Sequence, residues 1–459
     1  MYPLSLSETI VAVSTPPGPG GIGVVRLSGP QALPIAKSLF QPRAKDKAIN
    51  PNRAVFGVFQ DPQNDRPLDE GFLLYFKAPR SYTGEDVVEF SLHGSPVVLE
   101  EIVRLSVVRG ARPALRGEFT LRAFLFGRLD ILQAEAVDDL IKANSLAQAR
   151  LAFRGIEGAL SKKIDGLRKE TIGLIARIEA EIEFPEDGLP VSDRRLLGQI
   201  DRIAGSIETL IRSHATGAAL AGDVTLALVG RTNVGKSTLF NDLLEEQRAI
   251  VTPYAGTTRD FLRERIRIRE ASFALVDMAG LGRARSRVER DGIRRGKKIA
   301  SAADGLLLLI DGSRRFSAED RTLIDSYRKR KLMLVLNKAD LPAKTTPADL
   351  RKRYPEIPVL EISALRKKGL AELREKINEL FAPIIPSDEI VVFRTRDKLL
   401  LEEGLAHLRR ARDMVARGRA IEMIAEEARH VIEVIGRLTG EIRSDEVLND
   451  IFSRFCVGK

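Results

Sequence analysis

At 459 residues, 44% apolar and 30% charged, the chain is long enough for two to four domains and has the make-up of a soluble globular protein. A net charge of +10 and a pI near 9.6 favour a polyanionic partner, either nucleic acid or an anionic membrane surface. The single cysteine, Cys456, excludes an internal disulfide and a cysteine-rich zinc site, and the four histidines (His93, His214, His407, His430) are scattered without metal-ligand spacing.

The first residues, Met1-Tyr-Pro-Leu-Ser5, carry no basic start followed by an apolar run, and no later stretch reaches membrane-spanning length. A reduced, cytoplasmic setting without a membrane partner is expected. Cys456 stands four from the end, as a prenylation box requires, but Gly458 and Lys459 do not fit that signal. Residues 1–118 are expected to form an N-terminal α/β domain, with strand-like runs at 9–13, 23–27, 71–76 and 86–91 between Pro and Gly clusters. Over 119–215 the period becomes helical. Leu160, Ile164, Leu167, Leu174, Ile178 and Ile182 make one stripe, which stops at Phe184-Pro185.

An apolar run at 224–229 opens a different pattern. Further runs at 273–276, 305–310 and 332–336 are separated by helical stretches, which implies a mostly parallel sheet wrapped by helices over 216–382. Residues 263–269 alternate Arg and Ile, as a strand with one wet face does. Over 383–459 the helical period returns, with Leu401, Leu405 and Leu408 on one stripe and Ile421, Ile424, Ala428, Val431 and Ile435 on another. The expected architecture is a discontinuous helical domain (119–215 and 383–459) interrupted by an inserted domain of α/β type.

Five segments inside that insertion point to its chemistry: Gly230-Arg-Thr-Asn-Val-Gly-Lys-Ser237, Ala255-Gly-Thr-Thr-Arg-Asp260, Asp277-Met-Ala-Gly280, Asn337-Lys-Ala-Asp340 and Ser363-Ala-Leu365. A loop between strand and helix can surround phosphates with backbone N–H groups, so Asn233, Val234, Gly235, Lys236, Ser237 and Thr238 are expected at the phosphates. Lys236 would reach the β- and γ-phosphates, and Ser237 and Thr258 would ligate Mg²⁺. The stretch Thr252, Pro253, Tyr254, Ala255, Gly256, Thr257 and Thr258 would line the nucleotide on one side. Asp277, Met278, Ala279 and Gly280 would lie at the γ-phosphate, with Asp277 holding the metal through water. Guanine offers two adjacent donors that one carboxylate accepts together, whereas adenine has an acceptor there. Asn337, Lys338 and Asp340, with Ser363, Ala364 and Leu365, are therefore expected to select GTP over ATP, and the insertion is expected to be a Ras-like P-loop GTPase domain. Leu281 stands where a water-orienting glutamine is common, and leucine cannot orient water. Asn233 could instead help bind a monovalent cation near the β/γ bridge.

Beyond these segments the chain carries Thr15-Pro-Pro-Gly18, Gly20-Gly-Ile-Gly-Val-Val-Arg26, Ser81-Tyr-Thr-Gly-Glu-Asp86, Gly117-Glu-Phe-Thr-Leu-Arg-Ala-Phe124, Leu129-Asp130, Gln133-Ala-Glu-Ala136 and the ending Ile451-Phe-Ser-Arg-Phe-Cys-Val-Gly-Lys459. Over almost its whole length it resembles the MnmE (TrmE) family of tRNA-modifying GTPases. The resemblance implies modification of the tRNA wobble uridine at carbon 5 together with the FAD-dependent protein MnmG. It also implies a homodimer formed by a folate-binding N-terminal domain, and G domains that pair in a K⁺-dependent way. Asn233, Thr252, Tyr254 and Thr257 match the family's K⁺ ligands, and Glu289 its water-orienting glutamate, so Glu289, Lys236 and Thr258 are the expected catalytic residues. Arg26, Glu89, Arg128 and Lys459 match a pocket for one-carbon tetrahydrofolate, and Cys456 is expected near it as a possible thiol in tRNA modification. Met278, Gly282, Arg116 and Arg128 depart from the family's usual Thr, Arg, Pro and Lys, and Arg396-Asp397 stands where Arg-His is common.

The basic stretch 283–298, including Arg294, Arg295, Lys297 and Lys298, could contact tRNA phosphates or be a solvated helix face. An RNA-binding, ribosome-assembly GTPase that acts as a nucleotide-controlled switch is the competing expectation. It has no use for a folate-type domain or a Phe-Cys-Val-Gly-Lys ending. A dynamin-like membrane GTPase lacks its amphipathic anchor here.

Overall fold

The computed structural model describes residues 7–43, 48–183, 194–221, 223–248, 263–277, 300–382, 390–442 and 445–459. It divides into two compact units, one of Met1–Ile141, Ala152–Ile211 and Thr395–Lys459, the other of Lys142–Leu151 and Arg212–Arg394.

In the first unit, β1 (Ile10–Val13), β2 (Gly20–Ser28), β3 (Phe40–Pro42), β4 (Ala54–Asp61), β5 (Arg66–Phe76), β6 (Val87–Gly94) and β7 (Arg112–Pro113) form one sheet, in the order β3-β4-β5-β6-β2-β1-β7. All neighbours are antiparallel except β1 and β7. Alternating apolar residues such as Val25, Leu27, Leu73, Val88 and Phe90 bury one face under α1 (Ala32–Leu39) and α2 (Pro96–Val108). On the other face Ile10 and Ala12 meet Phe119 of α3 (Glu118–Leu125). Register sets Arg26 of β2 directly opposite Glu89 of β6, an opposite-charge cross-strand pair.

The further helices of this unit are α4 (Ile131–Lys142), the second half of α5 (Leu146–Ile156), α6 (Ala159–Glu183), much of α7 (Arg194–Ala221), α12 (Thr395–Ala416), α13 (Ile421–Thr439) and α14 (Asp445–Ser453). The two sequence-distant blocks pack on each other: α13 lies against both α12 and α6. The stripe of α6 is buried at Ile164, Leu167, Leu174 and Ile178, and that of α13 at Ile424, Ala428, Val431 and Ile435. At the start of α12, Arg396 forks onto Glu135 of α4 at 3.1 and 2.9 Å and also bonds Asp397 at 2.7 Å. The Arg-Asp pair thus gives one guanidinium two buried carboxylate partners.

The second unit holds β8 (Val224–Gly230), β9 (Arg263–Ile268), β10 (Ala271–Asp277), β11 (Gly305–Asp311), β12 (Leu332–Asn337) and β13 (Val359–Glu361), in the order β13-β12-β11-β8-β10-β9. Every pairing is parallel except β9 with β10. Strands β10, β11 and β12 are buried at every position, as continuous apolar runs in a helix-covered parallel sheet must be. Edge strand β9 buries Ile266 and Ile268 and exposes Glu264, Arg265 and Arg267. Helices α8 (Lys236–Arg248), α9 (Ala318–Tyr327), α10 (Pro347–Arg353) and α11 (Leu370–Phe381) accompany the sheet. Capping boxes, Ser317 with Asp320 and Thr346 with Asp349, begin α9 and α10.

Candidate functional site

The carboxyl ends of β8, β10, β11 and β12 are where a doubly wound sheet places a ligand. Gly230 closes β8, and α8 begins at Lys236, so residues 231–235 form a loop leading into a helix N-terminus. Two residues of that loop lie in the left-handed region, Asn233 at φ 62° and Gly235 at φ 98°. A Cβ on Gly235 would come within 2.3 Å of Asn337 Nδ2, so only glycine fits there. The Lys236 ammonium is buried and donates to the carbonyls of Gly230 (3.2 Å) and Arg231 (2.8 Å). Burial lowers its pKa, and the Asp277 carboxylate partly opposes that. A phosphate group would supply the counter-charge this buried amine lacks.

The Ser237 hydroxyl, at the first turn of α8, donates to Asp277 Oδ2 at 2.8 Å. Asp277 ends β10, and its Oδ1 is buried without a hydrogen-bond partner among the described residues. A hydroxyl beside a carboxylate with an orphaned oxygen is the hard, oxygen-only donor set that suits Mg²⁺. Asn233 offers an exposed amide oxygen at the crest of the loop, which suits a weakly held monovalent cation.

Farther along the same edge of the sheet, Asn337 closes β12. Its Nδ2 donates to Val234 O at 2.8 Å, and its Oδ1 accepts from Ala364 N at 3.0 Å. One amide therefore joins the phosphate loop to the segment after β13. The Ser363 hydroxyl donates to Asp340 Oδ1 and holds that exposed carboxyl below its ordinary range. Asp340 is thereby ionised and aimed, as a group accepting two guanine N–H donors must be. Lys338, between Asn337 and Asp340, sits at φ 70° and pairs with Asp311 at 2.6 Å. Leu365 is exposed, and Val234 and Ala364 are buried.

A second cluster forms in the first unit. Arg26 bonds Glu89 through Nε (2.8 Å) and Nη2 (2.7 Å), with the rings of Tyr82 and Phe119 each 5.6 Å from its guanidinium carbon. The last residues run back to this place. Gly117 N donates to Cys456 O at 3.3 Å, Arg116 and Val457 form an antiparallel bridge, and the Ser14 hydroxyl donates to Gly458 O at 3.2 Å. Lys459 is thus brought beside Arg26 and Glu89; burial lowers its pKa, Arg26 adds to that, and Glu89 and Cys456 oppose it. The Cys456 thiol is exposed. Arg128 is exposed and packs near Gly84, two residues from Tyr82, so the structure brings three of the four expected pocket residues together and sets Arg128 at the loop beside them.

Thr252, Pro253, Tyr254, Ala255, Gly256, Thr257, Thr258, Met278, Ala279, Gly280, Leu281, Gly282, Glu289 and the basic stretch 283–298 lie outside the described residues. Sequence reasoning missed Asp311 and the aromatic pair around Arg26. It also treated the histidines as scattered, yet the α12–α13 pairing stacks His407 on His430 with centroids 4.7 Å apart. Glu427 completes a metal-type triad with them, but Arg410 donates to Glu427 at 2.9 Å and lies 2.7 Å from His407 Nδ1, supplying the positive charge there.

A family model described as the MnmE helical domain matches residues 131–456, and one described as the GTP-binding protein TrmE N-terminus matches residues 9–128. The tRNA modification GTPase MnmE of Aquifex aeolicus (strain VF5) is 40% identical over 456 residues, covering 99% of this chain and 100% of that protein. The protein of the same name from Enterococcus faecalis (strain ATCC 700802 / V583) is 37% identical over 457 residues, 98% of each chain. Similarity of this extent spans the residues of both units.

Proposed function

Since the chain belongs to the MnmE (TrmE) family of tRNA modification GTPases, we propose that it hydrolyses GTP in the course of adding a carboxymethylaminomethyl-type group to carbon 5 of the tRNA wobble uridine (position 34). In this proposal it works in the cytoplasm as a homodimer, with an FAD-dependent MnmG-type partner. One observation supports the nucleotide half: the Asn337 amide ties the 231–235 loop to the segment after β13 in a single frame, in which triphosphate and guanine would be held together.

Lys236 would leave its two carbonyls for the β- and γ-phosphates, where its charge offsets what develops on the leaving oxygen. Ser237 and Thr258 would hold Mg²⁺, with Asp277 behind it. Asn233, Thr252, Tyr254 and Thr257 would hold K⁺. When bound, both cations neutralise phosphate charge. Glu289 would orient the attacking water, replacing the glutamine absent at Leu281, and Asp340 would select guanine. In the first unit, Glu89 would accept from a pterin's adjacent N–H donors, while Arg26, Arg128 and Lys459 would meet the carboxylates of a formyl- or methylene-type tetrahydrofolate. That group would supply the one-carbon unit, and the exposed Cys456 would serve as a thiol in the modification.

Two measurements test this. Turnover of GTP by the full-length protein should be about tenfold or more higher in KCl than in NaCl, the scale of one lost charge-stabilising group; equal rates would remove the K⁺ site. Mass spectrometry of tRNA from cells lacking the protein should show wobble uridines unmodified at carbon 5. Unchanged wobble uridines together with intact GTP hydrolysis would instead favour the ribosome-assembly switch.

A further inference from the structure

Asp311 ends β11 directly opposite Asn337 of β12 and is buried, an unusual place for a carboxylate without a task. Both its oxygens are engaged. Oδ2 accepts from Lys338 Nζ at 2.6 Å, and Oδ1 accepts from the Ser313 N–H at 3.0 Å and the Ser313 hydroxyl at 2.6 Å. Arg314 Nε stands farther off, 3.6 Å from Oδ2. Burial raises the Asp311 pKa, but Lys338 and Ser313 outweigh it and hold the carboxyl below its ordinary range. Its charge is therefore permanent at physiological pH.

The partner lysine is constrained at both ends. Its backbone is in the left-handed region, which a residue with a Cβ adopts only when its surroundings impose it. Here Asn337 imposes it from one side, bonded to Val234 and Ala364, while Ala339 N donates to Ile362 O at 3.0 Å on the other. The ammonium is tied to Asp311. A four-carbon stem fixed at head and foot becomes a rigid apolar ledge next to the base-reading Asp340.

We propose that Asp311 is a positioning residue for purine binding: it anchors the Lys338 ammonium so that the lysine stem is already laid out as a flat surface for the base before nucleotide arrives. This rests on the guanine-nucleotide site proposed above. Because the lysine charge is neutralised by Asp311, the ledge acts on the ring and not on the phosphates or the exocyclic amine. Its contribution should be alike for GTP, GDP and IDP, unlike that of Asp340, which reads the amine.

Equilibrium binding of fluorescent GDP and IDP to the full-length protein, with steady-state GTP hydrolysis, tests this on Asp311→Asn, Lys338→Ala and the double variant. Asp311→Asn should weaken GDP and IDP by the same factor, about tenfold, since a long side chain must now be ordered on binding. It should raise KM for GTP by that factor and leave kcat unchanged. The double variant should bind no more weakly than Lys338→Ala, because Asp311 acts only through that lysine. Ser313→Ala, a milder change, should shift affinity in the same direction by about twofold. An Asp311→Asn effect that adds in full to Lys338→Ala, a fall in kcat at constant KM, or unchanged affinity would overturn the proposal. Wild-type protein that binds no guanine nucleotide would overturn the site itself, a different failure. Should Asp311→Asn not fold, the additivity test is run on Ser313→Ala with Lys338→Ala and decides in the same way.

Discussion

At the proposed phosphate loop the backbone sets the geometry, with Asn233 and Gly235 at positive φ and Asn337 reaching across to Val234. Around Lys459 the chemistry depends on side chains from separate stretches, gathered because the final residues pair with Ser14, Arg116 and Gly117. The first place is local and stiff, and its failures should come from changing a single backbone position. The second is held by a strap, and its failures should come from anything that releases the strap, without touching nucleotide chemistry.

The largest expected effect is at Gly235. Alanine there meets Asn337 Nδ2 at 2.3 Å in a backbone conformation costly for any Cβ. Gly235→Ala should weaken GTP and GDP binding by on the order of 100-fold or more, a strained backbone plus a broken buried hydrogen bond. Binding within a few-fold of wild type would contradict the stiff-loop account. The matching test of the strap is Gly458→Ala. Gly458 has φ 91°, and a Cβ would lie 2.3 Å from Val13 O. A cost of about 1–3 kcal/mol for the strained residue should undock the ending. Wobble-uridine modification should then collapse while GTP turnover stays within about twofold, the span of an ordinary distant substitution. A parallel loss of hydrolysis would show that the two places are not independent.

A smaller effect is expected from the ion pairs beneath the strap. Glu118 is buried between Arg112, at 2.7 and 3.1 Å, and Arg122, at 3.1 Å. Burial raises its pKa, but Arg112, the Leu115 N–H and Arg122 outweigh this and hold it below the ordinary value. A depressed folded-state pKa stabilises above the unfolded value, near 4.3 for glutamate, and the contribution is lost as pH falls through the folded value. Glu118→Gln should cost about 1–3 kcal/mol at pH 7 and flatten the decline of thermal stability below about pH 4.5. An unchanged acid limb would remove Glu118 from the network.

The central sheet of the second unit could be read from sequence because β8, β10, β11 and β12 are runs of apolar residues bounded by the glycine, aspartates and asparagine of the proposed nucleotide site. Strand β9 was legible from the Arg/Ile alternation. Strands β3, β4 and β7 were not, since they pair within a sheet whose order depends on contacts distant in sequence. Asp311 escaped notice because an aspartate after an apolar run looks like a turn residue, and only the β11–β12 register sets it against Lys338. Likewise, nothing local links Arg26 to Tyr82 and Phe119, or His407 to His430, which meet only when helices or strands pair. The Lys459 cluster was reachable through family resemblance alone.

The proposed site stands or falls on whether Asp340 reads guanine. Nucleotide competition on full-length Asp340→Asn measures this directly, using GDP and xanthosine diphosphate, whose base presents a carbonyl where guanine has its amine. Loss of the ionised acceptor should weaken GDP by on the order of 100-fold and turn the preference toward the xanthosine nucleotide. If Asp340→Asn keeps the wild-type preference for GDP, the base is read elsewhere and the site as described is wrong.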